Sequence, residues 1–203
     1  MDHVRIPGVL VVLAASLAVI GCGKKEEPKA AAPAPAPAAA APAPKPEMVV
    51  KIGHVAPLTG PIAHLGKDNE NGARLAVDDA NAKKIEIDGK VIKFELLGED
   101  DQADPKTGTV VAQKLVDAKV AGVVGHLNSG TTIPASAIYN QAGLPQISPS
   151  ATNPKYTQQG FKTTFRVMAN DIQQGSVVGT YAAKDMGAKK VAIIDDRTAY
   201  GQG

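Results

Sequence analysis

A chain of 203 residues has room for one ordinary domain or two small lobes. Its composition is globular, 44% hydrophobic and 21% charged, and a net charge of +2 spread evenly along the chain argues against a nucleic-acid partner. A single Cys excludes an internal disulfide and a cysteine-based zinc site. With aromatics at 3% and no Trp, the core falls to Val, Ile, Leu and Ala, which suits a buried parallel sheet under helices.

Residues 1–22 read as an export signal. Arg5 lies in a short leading region, and the apolar run Ile6 to Ile20 is too short to span a bilayer comfortably. The run closes in Val19-Ile20-Gly21-Cys22, which resembles the lipobox of bacterial lipoproteins. That resemblance implies diacylation of the Cys22 thiol and cleavage before it. Gly23, where Asp would direct retention, gives no signal for the inner membrane. Acyl chains at about 0.8 kcal/mol per buried methylene are ample for anchoring. Residues 23–47 start with Lys and Glu and become almost purely Ala and Pro. Proline every second or third residue forbids a helix, and nothing there buries a core. The stretch is expected to be a disordered, partly polyproline tether reaching on the order of 75 Å.

From Met48 the pattern alternates between strand and helix. Val49 to Val55 is a first strand, Pro57 to Gly66 a turn, and Asn69 to Asn81 a helix with Leu75, Val77 and Ala80 on its inner face. Asp88-Gly89 predicts a hairpin-like turn before a second strand, Val91 to Leu97, which the acidic run Glu99-Asp100-Asp101 closes. Asp104-Pro105 starts a helix that turns Val110, Val111, Leu115 and Val116 to the sheet. A third strand at 121–125 leads through Gly125-His126-Leu127-Asn128-Ser129 into a helix to Gln141, and a short strand follows at Pro145 to Ser148. Residues 155–165 are polar and irregular. Another unit then opens, with a helix from Asp171 to Met186 and a strand at Val191 to Ile194. The alternation predicts an α/β fold with a doubly wound parallel sheet and right-handed crossovers. Residues 48–166 are expected to form a first lobe and 167–203 the incomplete start of a second, so the chain reads as the front part of a longer protein.

Ligands of such sheets bind beyond the carboxyl ends of the strands, where Pro57 to Gly60, Gly125 to Ser136 and Ser148 to Thr152 should converge. The turn after the third strand could offer unpaired N–H groups and the hydroxyls of Ser129, Thr131 and Thr132 to an anion; the plainer alternative is that Asn128 and Ser129 only cap the helix. Signs of catalysis are missing. His54, His64 and His126 lack a metal-ligand spacing, as solvated or strand-end histidines would. Gly60 to Lys67 has five residues between its glycines and Asp68 where a phosphate loop needs Ser or Thr. Ser129 lacks the nucleophile elbow. The Glu99-Asp100-Asp101 cluster reads as a solvated strand end rather than a metal site. A polar cleft that binds without turnover, needing no cofactor, is what remains.

Several of these segments resemble the branched-chain amino-acid binding proteins of ABC importers. They are Thr59-Gly60-Pro61-Ile62-Ala63, Asn71-Gly72-Ala73-Arg74, Asp104-Pro105-Lys106, Gly125-His126-Leu127 with Ser129, Ile147 to Pro154, and Asp195 to Gly201. The resemblance implies a type I periplasmic-binding-protein fold, two α/β lobes with the ligand in the cleft between them. It further implies that Ser129 and Thr152 bind the ligand's α-carboxylate, assisted by the Ala151 backbone. Ser150 and Thr152 oxygens would meet its ammonium, and Tyr200 would close from the second lobe. Leu65 stands where relatives often carry an aromatic, which leaves side-chain preference open. Ala103 and Asn128 stand where relatives often bridge two cysteines. The expectation is an exported, periplasmic, lipid-anchored monomer that delivers leucine, isoleucine or valine to an ABC permease. The alternative is a sensing lipoprotein of the same fold that binds an amide, urea or another small carboxylate and reports to a signalling partner.

Overall fold

Strand β1, Glu47–Ala56, is the axis of the fold, because it is paired in parallel on both sides, to β3 (Lys90–Asp100) and to β4 (Gly122–Gly125). The computed structural model describes residues 43–203; the Cys22 lipobox and tether residues 23–42 lie outside the described residues. With β2 (Glu86–Ile87), β5 (Gln146–Ser148) and β6 (Thr164–Arg166), the sheet runs β2-β3-β1-β4-β5-β6, parallel except for β2. The short β2 pairs antiparallel with β3 through Asp88 and Gly89. Both have positive φ (50° and 75°), as a two-residue hairpin turn requires.

Helix α1 (Ala63–Ala82) covers one face of the sheet at β1 and β3, while α2 (Pro105–Asp117) and α3 (Ser129–Gln141) pack together on the other. The split follows from handedness. The chain steps one way from β1 to β3 and then back past β1 to β4, so right-handed crossovers place their helices on opposite faces. Under α2 and α3 lies the main core, Val55, Val111, Ala112, Leu115, Val123, Ala135 and Tyr139. The reversal between β1 and β4 opens a crevice at their carboxyl ends, Ala56 and Gly125, where an open α/β sheet takes its ligand. The chains approach closely there. Gly125 has φ +138°, and a Cβ on it would run into the Val55 backbone.

The structure departs from the pattern reading in several places. Helix α1 begins at Ala63, not Asn69. Gly66, which looks like a turn residue, is a buried helical position where a Cβ would strike the Pro57 carbonyl. Small residues hold this helix close to the sheet, so Ala73 is buried while Leu75 is 63% exposed. An apolar crevice of about 550 Å³, lined by Val77, Ala80, Phe94 and Leu96, remains between α1 and the sheet. In α2 the inner stripe is Val111, Ala112 and Leu115, and Val110 turns outward at 62% exposure. The polar stretch read as irregular contains helix α4 (Lys155–Gln158) and strand β6. There Tyr156 is fully buried and its hydroxyl donates to the Gln146 carbonyl at 3.1 Å.

After Thr164 no residue is buried. Helix α5 (Asp171–Thr180) forms as expected, and its last turn widens to a π-helical turn at Tyr181–Asp185. The strand expected at Val191 to Ile194 does not form. Those residues find no strand to pair with among the described residues, and Ile193 and Ile194 are 92% and 91% exposed. The last element, α6, is the single turn Ala199–Gln202.

Candidate ligand-binding site

A cleft of about 850 Å³ lies at the carboxyl ends of β1, β4 and β5, and Leu65, Ser129, Ser150, Thr152 and Tyr200 all reach its wall. These residues come from four segments: the first turns of α1, the start of α3, the loop after β5, and α6. Ile62 and Leu127 join Leu65 to make part of the wall apolar. Ala103 and Asn128 line the cleft as well.

Side-chain caps close α2, α5 and α6, while α1, α3 and α4 start without one. Asp104 caps α2 by accepting from the Thr107 amide, Asn170 caps α5 from Gln173, and Thr198 caps α6 from Gly201. Asn128, at the same position of α3, makes no side-chain capping bond. The thirteen-residue helix α3 thus presents an uncapped, electropositive end to the cleft through Ser129 and Gly130. The Asn128 side chain therefore does not cap this turn. Ser129 Oγ accepts from the Asn153 amide at 3.2 Å, which leaves its O–H to donate elsewhere. Thr131 and Thr132, read as further donors, turn inward instead. Thr131 donates to the Asn128 carbonyl, and Thr132 donates to the carbonyls of Asn128 and His126.

The loop after β5 is bonded internally almost throughout. Ser150 Oγ donates to the Leu127 carbonyl at 2.9 Å, joining two cleft loops. Ala151 is 1% exposed and does not reach the cleft. Its amide donates to Ser148 Oγ and its carbonyl accepts from Arg166, so its backbone is already committed. The Thr152 carbonyl accepts from the Asp171 amide at 3.0 Å. In contrast, Thr152 Oγ1 and Asn128 Oδ1 are shielded from solvent and have no protein partner. Two unmet buried polar atoms on one cleft wall are costly without an occupant that bonds to them.

The acidic run at the end of β3 is not a solvated strand end, because each of its carboxylates has a protein partner. Glu99 pairs with Lys114 at 2.8 Å. Asp100 accepts from the amides of Leu58 (2.8 Å) and Gln102 (2.9 Å) and from the Thr59 hydroxyl (2.5 Å), fixing the loop after β1. Its partial burial raises its pKa, but those hydrogen bonds outweigh that and hold the carboxyl below its ordinary range. Asp101 is fully buried. It bonds His126 Nδ1 at 2.9 Å, and His126 Nε2 meets the Tyr139 hydroxyl at 3.0 Å. Burial pushes the Tyr139 hydroxyl far above its ordinary pKa, so it stays protonated and can donate to Nε2 while Nδ1–H donates to Asp101. The His126 carbonyl in turn accepts from Thr132 and Ser148. The floor beneath Leu127 and Ser129 is thus set by groups from β3, α3 and β5. Neither His126 nor His54 is solvated. His54 is buried in β1, its ring nitrogens lack protein partners, and burial lowers its pKa.

Tyr200 stands on a turn that organises itself. Asp195 Oδ1 accepts from the Arg197 amide (2.7 Å), and Asp196 Oδ1 accepts from the Thr198 amide (2.9 Å) and hydroxyl (2.7 Å). Thr198 Oγ1 then accepts from the Gly201 amide (3.1 Å). The tyrosine is 56% exposed and lines the same cleft as Ser129 and Thr152. Asn128 and Asn153 were not anticipated as site residues. In the sequence Asn128 reads as a cap, and Asn153 has no role beyond its place in the segment Ile147 to Pro154.

An open α/β sheet whose carboxyl ends face a cleft of hydroxyls and a free helix end has the build of a small-solute binding domain. The chain belongs to the periplasmic binding protein family, whose model, described as "Periplasmic binding protein", matches residues 49–203. Leu/Ile/Val-binding protein homolog 1 of Brucella abortus is 44% identical over 154 residues, 76% of this chain and 41% of that protein. An amino acid binding protein of Pseudomonas aeruginosa is 44% identical over 155 residues, again 76% and 41%. Among solved structures, the branched-chain amino acid transporter substrate binding protein LivJ of Streptococcus pneumoniae, in complex with isoleucine, matches with a TM-score of 0.64 at 36% identity, over 70% of this chain and 40% of that one. A solute binding protein of an ABC transporter from Rhodopseudomonas palustris, in complex with 3,4-dihydroxy benzoic acid, matches with a TM-score of 0.65 at 28% identity, over 75% and 40%. The fold is part of the type I periplasmic-binding-protein architecture, and the chain spans about two fifths of the length of these relatives.

Proposed function

We propose that this protein is the extracytoplasmic solute-binding component of an ABC importer and that it holds a branched-chain amino acid in the cleft. The observation that carries the reading is the uncapped α3 N-terminus beside the unpartnered Thr152 hydroxyl, facing an apolar wall of Ile62, Leu65 and Leu127. The ligand carboxylate would take the Ser129 hydroxyl, the first amides of α3 and the Thr152 hydroxyl. Its ammonium would meet the Ser150 carbonyl and Asn128 Oδ1, while the aliphatic side chain rests on the apolar wall. Tyr200 covers it. Ala151 has no direct part. Nothing in the arrangement pairs a nucleophile with a base, so the cleft binds without turnover. The names of the relatives from Brucella abortus and Streptococcus pneumoniae support the ligand class.

A second reading keeps the carboxylate site and changes the rest of the ligand. The Rhodopseudomonas palustris relative carries an aromatic carboxylate, and Leu65 leaves room for a different side group. Calorimetric titration of the full-length protein with leucine, isoleucine, valine, phenylalanine, a benzoate and a short amide separates the two. Micromolar or tighter binding of the aliphatic amino acids supports the first, and heat with the benzoate or amide alone supports the second. The reading includes residues 48–166 as a first lobe, 167–203 as the start of a second, and a periplasmic protein anchored through Cys22. Metabolic labelling with a tagged fatty acid, lost in Cys22→Ser, tests the anchor.

A further inference from the structure

We propose that Asn153 is a positioning residue that latches the two walls of the cleft together. The inference rests on the binding role proposed above, and it concerns a residue that does not line the cleft. Four hydrogen-bonding groups of Asn153 each reach a different place. Its amide donates to Ser129 Oγ at 3.2 Å, and its carbonyl accepts from Arg166 Nη1 at 3.0 Å. Its side-chain Oδ1 accepts from the Lys155 amide at 2.9 Å, and Nδ2 donates to the Ala199 carbonyl at 2.5 Å, 46 residues away. Ser129 and Ala199 both line the cleft, and Ala199 directly precedes Tyr200. The residue before Asn153 is Thr152. One side chain therefore ties the wall formed by the loops after β4 and β5 to the wall formed by α6.

The orientation of the carboxamide follows from its partners. The Lys155 amide is a donor, so the atom facing it must be the oxygen, and the nitrogen then faces the Ala199 carbonyl. A flipped amide would oppose N–H to N–H and oxygen to oxygen. The plain reading of Asn before Pro is a turn whose side chain accepts from the amide two residues on. Asp or Ser serves that turn equally well. Only an acceptor and a donor on one short side chain serve both the turn and Ala199. Arg166 holds the other side of the loop, bonding the carbonyls of Ala151 (3.3 Å) and Asn153 (3.0 Å) and the Thr157 hydroxyl (3.0 Å), so the loop is a firm base from which Asn153 reaches across.

The test is Asn153→Asp, which keeps the Lys155 bond and sets a carboxylate oxygen against the Ala199 carbonyl. Stopped-flow binding of leucine to the full-length protein should show dissociation accelerated at least about tenfold, with association changed much less, as changes at a contact act mainly on dissociation. Asn153→Ser keeps an acceptor for Lys155 but is too short to reach Ala199. It should shift dissociation the same way by less, and it stands in if the Asp variant does not fold. In parallel, spin labels at Lys106→Cys and Gln202→Cys, in a Cys22→Ser background, report the separation of the walls without ligand. It should lengthen in either variant. If wild type binds leucine and both variants release it at the wild-type rate, the latch is refuted. If wild type binds none of the amino acids, the functional reading fails, and the label separation alone decides: unchanged in both variants overturns the latch, lengthened supports it.

Discussion

Replacing Thr152 by Val should make the empty protein more stable and the liganded one weaker. The two side chains have nearly the same shape, so the exchange removes a hydroxyl and little else. In the structure that hydroxyl is shielded from solvent and has no protein partner, and the residue as a whole is 7% exposed. An unsatisfied buried hydroxyl costs about 1–3 kcal/mol. Most of that penalty disappears when a methyl takes its place, and urea denaturation without ligand should show a gain of about 1 kcal/mol. With ligand the sign reverses. A hydrogen bond to a charged group contributes about 1.5–3 kcal/mol, so the dissociation constant should rise by about 10- to 150-fold. Calorimetry of the ligand and urea denaturation of the free form, on the same preparations, measure both quantities. Lower stability of the free variant together with unchanged affinity would refute the argument, because the hydroxyl would then have to be serving the fold and not the ligand.

Tyr139→Phe leaves His126 Nε2 buried without its partner, and should cost about 1–3 kcal/mol in urea denaturation, more than an exposed substitution such as Val110→Ala. Asp100→Ala removes the acceptor shared by the Leu58 and Gln102 amides, so hydrogen exchange at those two positions should accelerate while the α2–α3 core keeps its protection. The buried His54 has a folded pKa below its ordinary 6.5, so the unfolded chain binds the proton more readily and stability falls as pH drops below about 6.5. In His54→Val that decline, followed by thermal melting at steps of pH, should flatten between about pH 6.5 and 5, where carboxylates begin to titrate.

What the sequence made legible was local. Asp-Gly in a run of alternating residues gives the hairpin at Asp88-Gly89, and Asp104-Pro105 gives the start of α2 to the residue. Leu65, Ser129, Ser150 and Thr152 meet at one cleft, since the loops after β1, β4 and β5 leave the parallel strands on the same side, and Tyr200 reaches it from α6. The misreadings share a cause as well. Gly66 is a turn-former by propensity, and only the nearness of the Pro57 carbonyl explains why it is helical. Val110 and Val111 are alike by hydropathy, and which faces the core depends on where α2 sits over the sheet. Asp101 and His126 lie 25 residues apart and meet only because β3 and β4 both flank β1, so no spacing rule would pair them. Val191 to Ile194 has the composition of a strand, but a strand exists only with a neighbour.

The self-bonded turn from Asp195 to Gly201 bears on how tightly a closing cleft can hold its ligand. Two aspartates and a threonine supply four hydrogen bonds to that turn from within it, so much of its shape rests on its own side chains. The backbone that carries Tyr200 is held in shape by these bonds without a ligand. A flexible loop would have to be ordered anew at each encounter, at about 0.5–1.5 kcal/mol for every side chain immobilised. Here the turn's own side chains order its backbone as the chain folds.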